Sequence, residues 1–554
     1  MKKIKFTVDN LSYKGEKIKK ILNSNNKTFM RNFLEKNKAD IFFVILLLSI
    51  SLLYNYHNIL THRPYSTHLW RQADCLSITM NYYMENRNFL EPAIHWVGEK
   101  DGKTVSECPL IYYSVAQLWK VFGYHEFIFR LINILIVFSG LFCLYKLIQI
   151  IISDSFWSFI ITFLVFTSPI LVYYSNNFTA DAPAFGFVLT GSFFLWKGLN
   201  QQKKGWYYLS FLFFLLGGLI KISSLIIFIA ILSIHIYLVL FSKKEKGQLY
   251  RWYNLIPYLI VLFVLFVWYS YVIHYNQKNI SGIFLTGLYP IWDIDLITRK
   301  SIWSSFINDL VPAYFDKKAL YLTLSLFITL FFFYRKMNKC LFFINVLVFL
   351  GVVSYILLFY KAFTVHDYYL TNLLIFIPLP FIAMLEMLKR NYSRIFKMLP
   401  LKIFVFCAVL LLIYETAVIN RMKYSTSDWI VKTNFVVDKN DVDYWAWYHW
   451  DYANHLKAYE TITPYLRSLG IERTDKVLSL PDRSINISLY FMDQKGFSGF
   501  GYADMTFDQR MNYYMNNDVQ FLIIDSVLNK QDYLLPYLKH KIGDYQNLSV
   551  FDLK

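Results

Sequence analysis

Three carboxylates stand beside long apolar runs, a placement that suggests proton transfer or cation binding at a membrane boundary. Asp74 lies in THRPYSTHLWRQADCLSITMNYYMENRNFLEPAIHW, Glu107 in VSECPL just before Pro109, and Asp181 in YYSNNFTADAPAFG between two apolar runs. Polar groups close to a bilayer are costly and are usually paired or functional. A carboxylate at a partly dry boundary can act as a general base toward a hydroxyl or amine, and a pair can instead seat a divalent cation through oxygen ligands. Lys221, in LGGLIKISSLI, is a lone cation between apolar runs; it either snorkels toward water or faces an anion such as phosphate. KAFTVHDYYLTN places His366, Asp367, Tyr368 and Tyr369 at the start of a later apolar run, as a substrate or phosphate contact or as an aromatic belt with a cap. Ordinary structural roles compete. Asp181 suits a helix N-cap, with Pro183 in the first turn, and Glu107 suits the positive end of the helix after it. Three carboxylates at one face of a membrane shift the balance toward a shared site.

The elements that must hold these residues are set by composition. In 554 residues, 56% are hydrophobic, 20% aromatic and only 17% charged, too few charges for a water-facing surface. Disorder, collagen, coiled coil and a disulfide scaffold are excluded, leaving a polytopic membrane protein. The five cysteines show no CxxC spacing. A spanning helix needs about 20 mostly apolar residues, and eleven segments qualify as candidates: 41–60, 127–149, 155–174, 182–198, 206–220, 222–241, 255–275, 318–334, 341–360, 370–387 and 401–419. The fifth is short and runs into the sixth. No cleavable signal is expected before the first.

Loop charge orients the set. The first 40 residues hold 11 Lys/Arg against 4 Asp/Glu, and Lys197/Lys203/Lys204, Lys243/Lys244/Lys246/Arg251, Arg335/Lys336/Lys339 and Lys389/Arg390/Arg394/Lys397 are further basic clusters. Eleven spans put them all in the cytoplasm, as the positive-inside rule asks. The net charge of +18 follows from this topology, and no nucleic-acid partner is expected. The N-terminus is then cytoplasmic, the C-terminus periplasmic or extracellular, and the protein multi-pass in the cytoplasmic (inner) membrane. The expected fold is an all-α membrane protein with a small C-terminal α/β domain. Its parts are a basic arm over 1–40, a transmembrane domain over 41–419 and an outer α/β domain over 420–554. The first outer loop, 61–126, reads as two amphipathic helices lying in the interface plane, with Asp74 in the first and Glu107 in the first turn of the second. The tail is nearly neutral, with 15 Lys/Arg and 17 Asp/Glu; KVLSLP (476–481) and QFLIID (520–525) read as buried strands. Segments 450–469 and 484–492 read as helices, Gly470 as a helix stop.

HLWRQADCLSITMNYYMENRNFLEPAIHW resembles the first periplasmic loop of polyprenyl-phosphate-sugar glycosyltransferases in the protein-mannosyltransferase and ArnT-like superfamily (glycosyltransferase family 39, GT-C fold). SECPLIYYSVAQLWKVFGYHEFIFRL, SPILVYYSNNFTADAPAFGF, LGGLIKISSLI and HDYYLTNLLIFIPLP extend the likeness over about residues 40–400. The resemblance implies inverting transfer of a hexosyl or pentosyl group from a lipid-phosphate donor to an acceptor (glycolipid, glycan or protein) at the outer face. It matches Asp74 to the first-loop acid and expected base, Glu107 to the acid of the second juxtamembrane helix and Asp181 to the acid of the second outer loop. Arg71, Lys221, His366 and Tyr368 are matched to substrate binding, Lys221 at the donor phosphate. One departure is Glu107-Cys108-Pro109-Leu110 where aminoarabinose transferases read E-K-P-P, which speaks against an aminoarabinose-to-lipid-A activity. Cys75 and Cys108 each follow a site acid and are expected as unpaired thiols rather than a disulfide. A metal requirement is open, with Asp74, Glu107 or Asp181 as its ligands.

A lipid phosphate is already a leaving group on an activated sugar, so no nucleotide-binding motif is needed, and neither a G-x-G-x-x-G after a strand nor a P-loop occurs. The competing classes are a secondary transporter, which would place charges at mid-bilayer on repeated halves, and a non-catalytic membrane scaffold. Acids grouped at one face, without an internal repeat, favour the transferase.

Overall fold

The computed structural model describes residues 37–241, 251–284 and 287–554. Most of the basic arm and the Lys243/Lys244/Lys246 cluster lie outside the described residues. By compactness the chain divides into a unit ending at Leu52 and one running from Leu53 to Lys554. The first contributes most of one apolar helix, Lys38–Leu53.

Each of the eleven apolar segments is helical. Among the described residues six helices are long and apolar enough to cross a membrane: Phe127–Ile152, Ile222–Phe241, Trp252–Lys278, Lys339–Leu358, Asp367–Asn391 and Leu399–Met422. Ser155–Val165 and Pro169–Ser175 make a seventh if the pair, bent by 79°, is one span. The remaining four fall short of that measure. Lys38–Leu53, Lys204–Ile220 and Lys317–Phe332 have only 16, 17 and 16 residues, and Asp181–Gln201 carries too many small and polar residues. The structure thus supports six or seven crossings by length and hydropathy.

Close helix contacts carry two of the site residues. A Cβ on Gly140 would stand 2.6 Å from Gly186 Cα, so Phe127–Ile152 and Asp181–Gln201 meet backbone to backbone, as small residues permit in apolar surroundings. A Cβ on Gly217 would lie 2.8 Å from Val188 Cγ2, which draws Lys204–Ile220 against the same helix.

The C-terminal region builds one five-stranded sheet. Strands β1 (Lys476–Leu480), β2 (Gly496–Ser498), β3 (Val519–Asp525), β4 (His540–Tyr545) and β5 (Leu548–Asp552) stand in the order β2-β1-β3-β5-β4. β1 is parallel to both neighbours, in register Val477↔Gly496 and Leu480↔Ile524, and β5 is antiparallel to β3 and β4. The two apolar runs of the tail became β1 and β3. The segment 450–469 is interrupted, as Lys439–His455, a turn at Lys457–Glu460 and Thr463–Ser468, and Gly470 follows at φ +80°.

The first-loop helices are Leu69–Met84 and Leu110–Phe122. The first does not lie half-exposed in an interface plane. It is buried on every face from Leu69 to Tyr82 except at Trp70, because the C-terminal region covers the side that the helix pattern left polar. Leu76, Ile78, Val115 and Trp119 share one apolar core with Leu489, Val477, Ile523 and Val550. The loop also joins the sheet edge: Val97 N–H donates to Gly496 O at 2.9 Å and Gly496 N–H to His95 O at 3.3 Å, beside the parallel bridge Trp96↔Gly496.

Candidate active site

Asp181 and Lys221 meet because their helices pack so closely. Arg130, fully buried, donates to Asn176 O and stacks 4.0 Å from the Phe178 ring, while Asn133 Nδ2 donates to Asn177 O (2.8 Å) and Thr179 O (2.9 Å). These bonds fix the turn that presents Asp181 as the first residue of its helix. The N-cap is Ala180 rather than Asp181; the Asp181 carboxylate pairs with Lys221 Nζ at 2.9 Å. Lys221 stands where Lys204–Ile220 ends in extended backbone, with its ammonium 4.2 Å from the Tyr369 ring centre.

Glu107 is brought beside them by Cys108 N–H, which donates to Leu219 O at 3.0 Å. It precedes the second loop helix rather than sitting in its first turn, since that helix begins at Leu110. Its carboxylate is buried and takes hydrogen bonds from Arg71, Ser106 and Tyr112. Burial pushes Glu107 up, but the charges of Arg71 and Lys221 and these hydrogen bonds outweigh it and hold the carboxyl below its ordinary range.

Asp74 is one turn from Arg71 on Leu69–Met84, fully buried. Gln72 fixes the turn before this helix, its Nε2 donating to Tyr65 O (2.8 Å) and Thr67 O (3.0 Å). Oδ1 of Asp74 accepts from Asn486 Nδ2 at 2.7 Å; Oδ2 has no hydrogen-bond partner among the described residues. Burial lifts this carboxyl to about 7 against the pull of Arg71 and Asn486.

A cavity of about 560 Å³ gathers most of these groups. Arg71, Glu107, Lys221, His366 and Tyr368 line it, with Trp70 and Tyr369 as further aromatic walls. Ile283, Phe284, Ile485, Ile487 and Phe500 add apolar surface, and Ser106, Arg483 and Ser484 complete the lining. Arg71 stacks 5.0 Å from the Phe284 ring centre. His366 is driven down to about 3 by burial and by the neighbouring His68, Lys221 and Arg71, so it is a neutral ring. Asp181 reaches the cavity only through Lys221, and Asp74 lies behind Arg71 rather than on the wall.

The three acids do not form a metal-ligand set: among the described residues no three His, Cys, Asp or Glu side chains converge on one point. Cys75 and Cys108 are both free and buried. Sequence reading missed Trp70, Phe284, Arg483 and Asn486. One signal pointed to the last two: they follow a strand, and open α/β sheets place ligand residues at the carboxyl ends of parallel strands.

Apolar helices and the C-terminal region thus meet around a cavity lined by cationic, aromatic and apolar side chains. Residues 106–274 match the family model described as dolichyl-phosphate-mannose-protein mannosyltransferase. Two crystal structures of ArnT from Cupriavidus metallidurans share the fold, both with TM-score 0.51 and 9% identity. The apo form covers 93% of this chain and 97% of its own, and the form bound to undecaprenyl phosphate covers 92% and 98%. No curated protein matches by sequence. On these findings the chain shares the fold of ArnT, and its residues 106–274 are similar to the dolichyl-phosphate-mannose-protein mannosyltransferases.

Proposed function

We propose that this protein is a membrane glycosyltransferase that moves a sugar from a polyprenyl-phosphate donor to an acceptor at the outer face of the cytoplasmic membrane. The observation that carries this reading is the cavity itself, lined by Arg71 and Lys221 together with apolar side chains and with Trp70, Tyr368 and Tyr369. Cations suit the phosphate, the apolar wall suits the first isoprene units, and aromatic faces suit a sugar ring. The lipid phosphate bound to ArnT is carried over here as part of the proposal, as are the eleven-span arrangement, the outward-facing C-terminal region and a lipid, glycan or protein acceptor.

In the reaction the acceptor oxygen or nitrogen attacks the anomeric carbon from the face opposite the phosphate. The carbon–oxygen bond to phosphate breaks, polyprenyl phosphate departs, and the acceptor proton passes to a base. Asp74 is that base. A general base works best with a pKa near the working pH, and Asp74 is lifted to about 7 with Oδ2 free of any hydrogen bond. Glu107 is a poor base because Arg71 holds it ionised; with Asp181 it orients the two cations. The assignment requires Arg71 to turn toward the phosphate and uncover Oδ2.

The test is purified protein given defined polyprenyl-phosphate sugars and a panel of acceptors, read as released polyprenyl phosphate. Wild type should turn over at least one donor, and Asp74→Asn should lose about 10²–10⁴-fold, the usual worth of a positioned base. Full activity in Asp74→Asn removes Asp74 from the chemistry; no release from any donor removes the function.

A further inference from the structure

The charges around the cavity do not balance. Lys221 is paired with Asp181 and Arg71 with Glu107. Arg483 is the third cation on the wall, is exposed, and has no carboxylate or hydrogen-bond partner among the described residues. It sits in the turn after β1. That turn is fixed from within: Asp482 accepts from Ser484 N–H (2.8 Å), Ser488 N–H (2.8 Å) and Ser488 Oγ–H (2.6 Å), and Ser484 Oγ accepts from Ile487 N–H at 2.9 Å. The same turn sends Asn486 to Asp74, and the loop after β2 adds Phe500 to the wall. The carboxyl ends of the two parallel strands therefore face the cavity, where sheets of this kind seat their ligands.

We infer that Arg483 is the phosphate-binding residue that the C-terminal region contributes, a specificity-determining cation for the charge left on polyprenyl phosphate. This rests on the transferase reading. The glycosyl phosphate is a diester with one negative charge, and cleavage leaves a monoester carrying about −1.5 to −2 at neutral pH. A cation already neutralised by its own carboxylate answers that added charge poorly, whereas an unpaired guanidinium binds phosphate with two parallel donors. Arg483 should matter more for the product than for the donor.

The experiment compares wild type, Arg483→Gln and Arg483→Lys in full-length protein for binding of undecaprenyl phosphate, undecaprenol and inorganic phosphate, and for donor turnover. Among the described residues Arg483 makes no hydrogen bond or ion pair, so all three should melt alike. Expected is a loss of about 10- to 100-fold in undecaprenyl phosphate affinity for Arg483→Gln, the worth of a charge-assisted hydrogen bond. Arg483→Lys should recover part of it, undecaprenol binding should stay unchanged, and the donor's apparent affinity should fall less than that of the product. Unchanged undecaprenyl phosphate affinity in Arg483→Gln overturns the inference while leaving the transferase reading intact. Inorganic phosphate displacing the lipid at equal affinity, through Arg483, also overturns it, because the site would then be one for free phosphate. A wild type that binds undecaprenyl phosphate no better than undecaprenol fails the transferase reading itself.

Discussion

A carboxyl kept fully buried with one oxygen unbonded works against the fold that holds it, and Asp74 is such a group. Its folded pKa of about 7 stands above the ordinary 3.8. Between pH 4 and 7 the native chain therefore holds a proton that the unfolded chain has released, so this group's contribution falls as pH rises. Above pH 7 the penalty is complete, at most about 4 kcal/mol at 1.36 kcal/mol per pH unit. Asp74→Asn removes the charge and keeps an acceptor for Asn486, so it should melt several degrees above wild type at pH 8 and close to it at pH 4. Thermal melts of both proteins at the two pH values decide this, and a lower melting point for the variant at pH 8 refutes the buried charge. Activity should move the other way, with wild-type turnover halving as pH falls through about 7. Asp74, Glu107, Asp181 and Lys221 were legible as candidates because each is a charge set against an apolar run. That Asp181 would take Lys221, and Glu107 take Arg71, was not, since each bond joins residues from separate helices or loops and leaves no local pattern.

The helices were legible for the reason that makes them helices here: in a bilayer a long apolar run can satisfy its backbone only within itself. β1 and β3 showed as short apolar runs bounded by polar residues. β2 did not, because three residues, Gly496–Ser498, carry no periodicity, and its place in the sheet depends on a first-loop segment far away in sequence. Gly496 is the residue that makes this junction fit. Its φ is +153°, and a Cβ there would stand 2.0 Å from Val477 O, so no side chain enters without separating β1 from β2. Gly496→Val should lower the melting temperature by 5 °C or more, and limited proteolysis should open the chain near residues 95–105. A variant as protected there as wild type would show that the loop holds its shape without the sheet.

At the scale of the molecule, residues 53–554 form one compact unit, in which the first loop and the tail pack together. Trp119, Leu76, Leu489 and Ile523 belong to a single core, and Arg473 adds bonds to Glu85 Oε1 (2.8 Å) and Asn81 Oδ1 (2.6 Å). A chain ended after residue 475 should keep its apolar bundle and lose order in 61–126. Protease mapping against full-length protein reads this directly, and an intact, protected loop in the short chain would contradict the shared core. The bond from Asn486 to Asp74 spans 412 positions, and that distance fixes an order of events during synthesis. The helix bearing Asp74 leaves the ribosome first, and Asn486, which bonds it, follows only 412 residues later. On the proposed transferase reading, a polypeptide that stops short of Asn486 is thus expected to be inert toward lipid-linked sugars, and the arrival of that distant segment switches the molecule on.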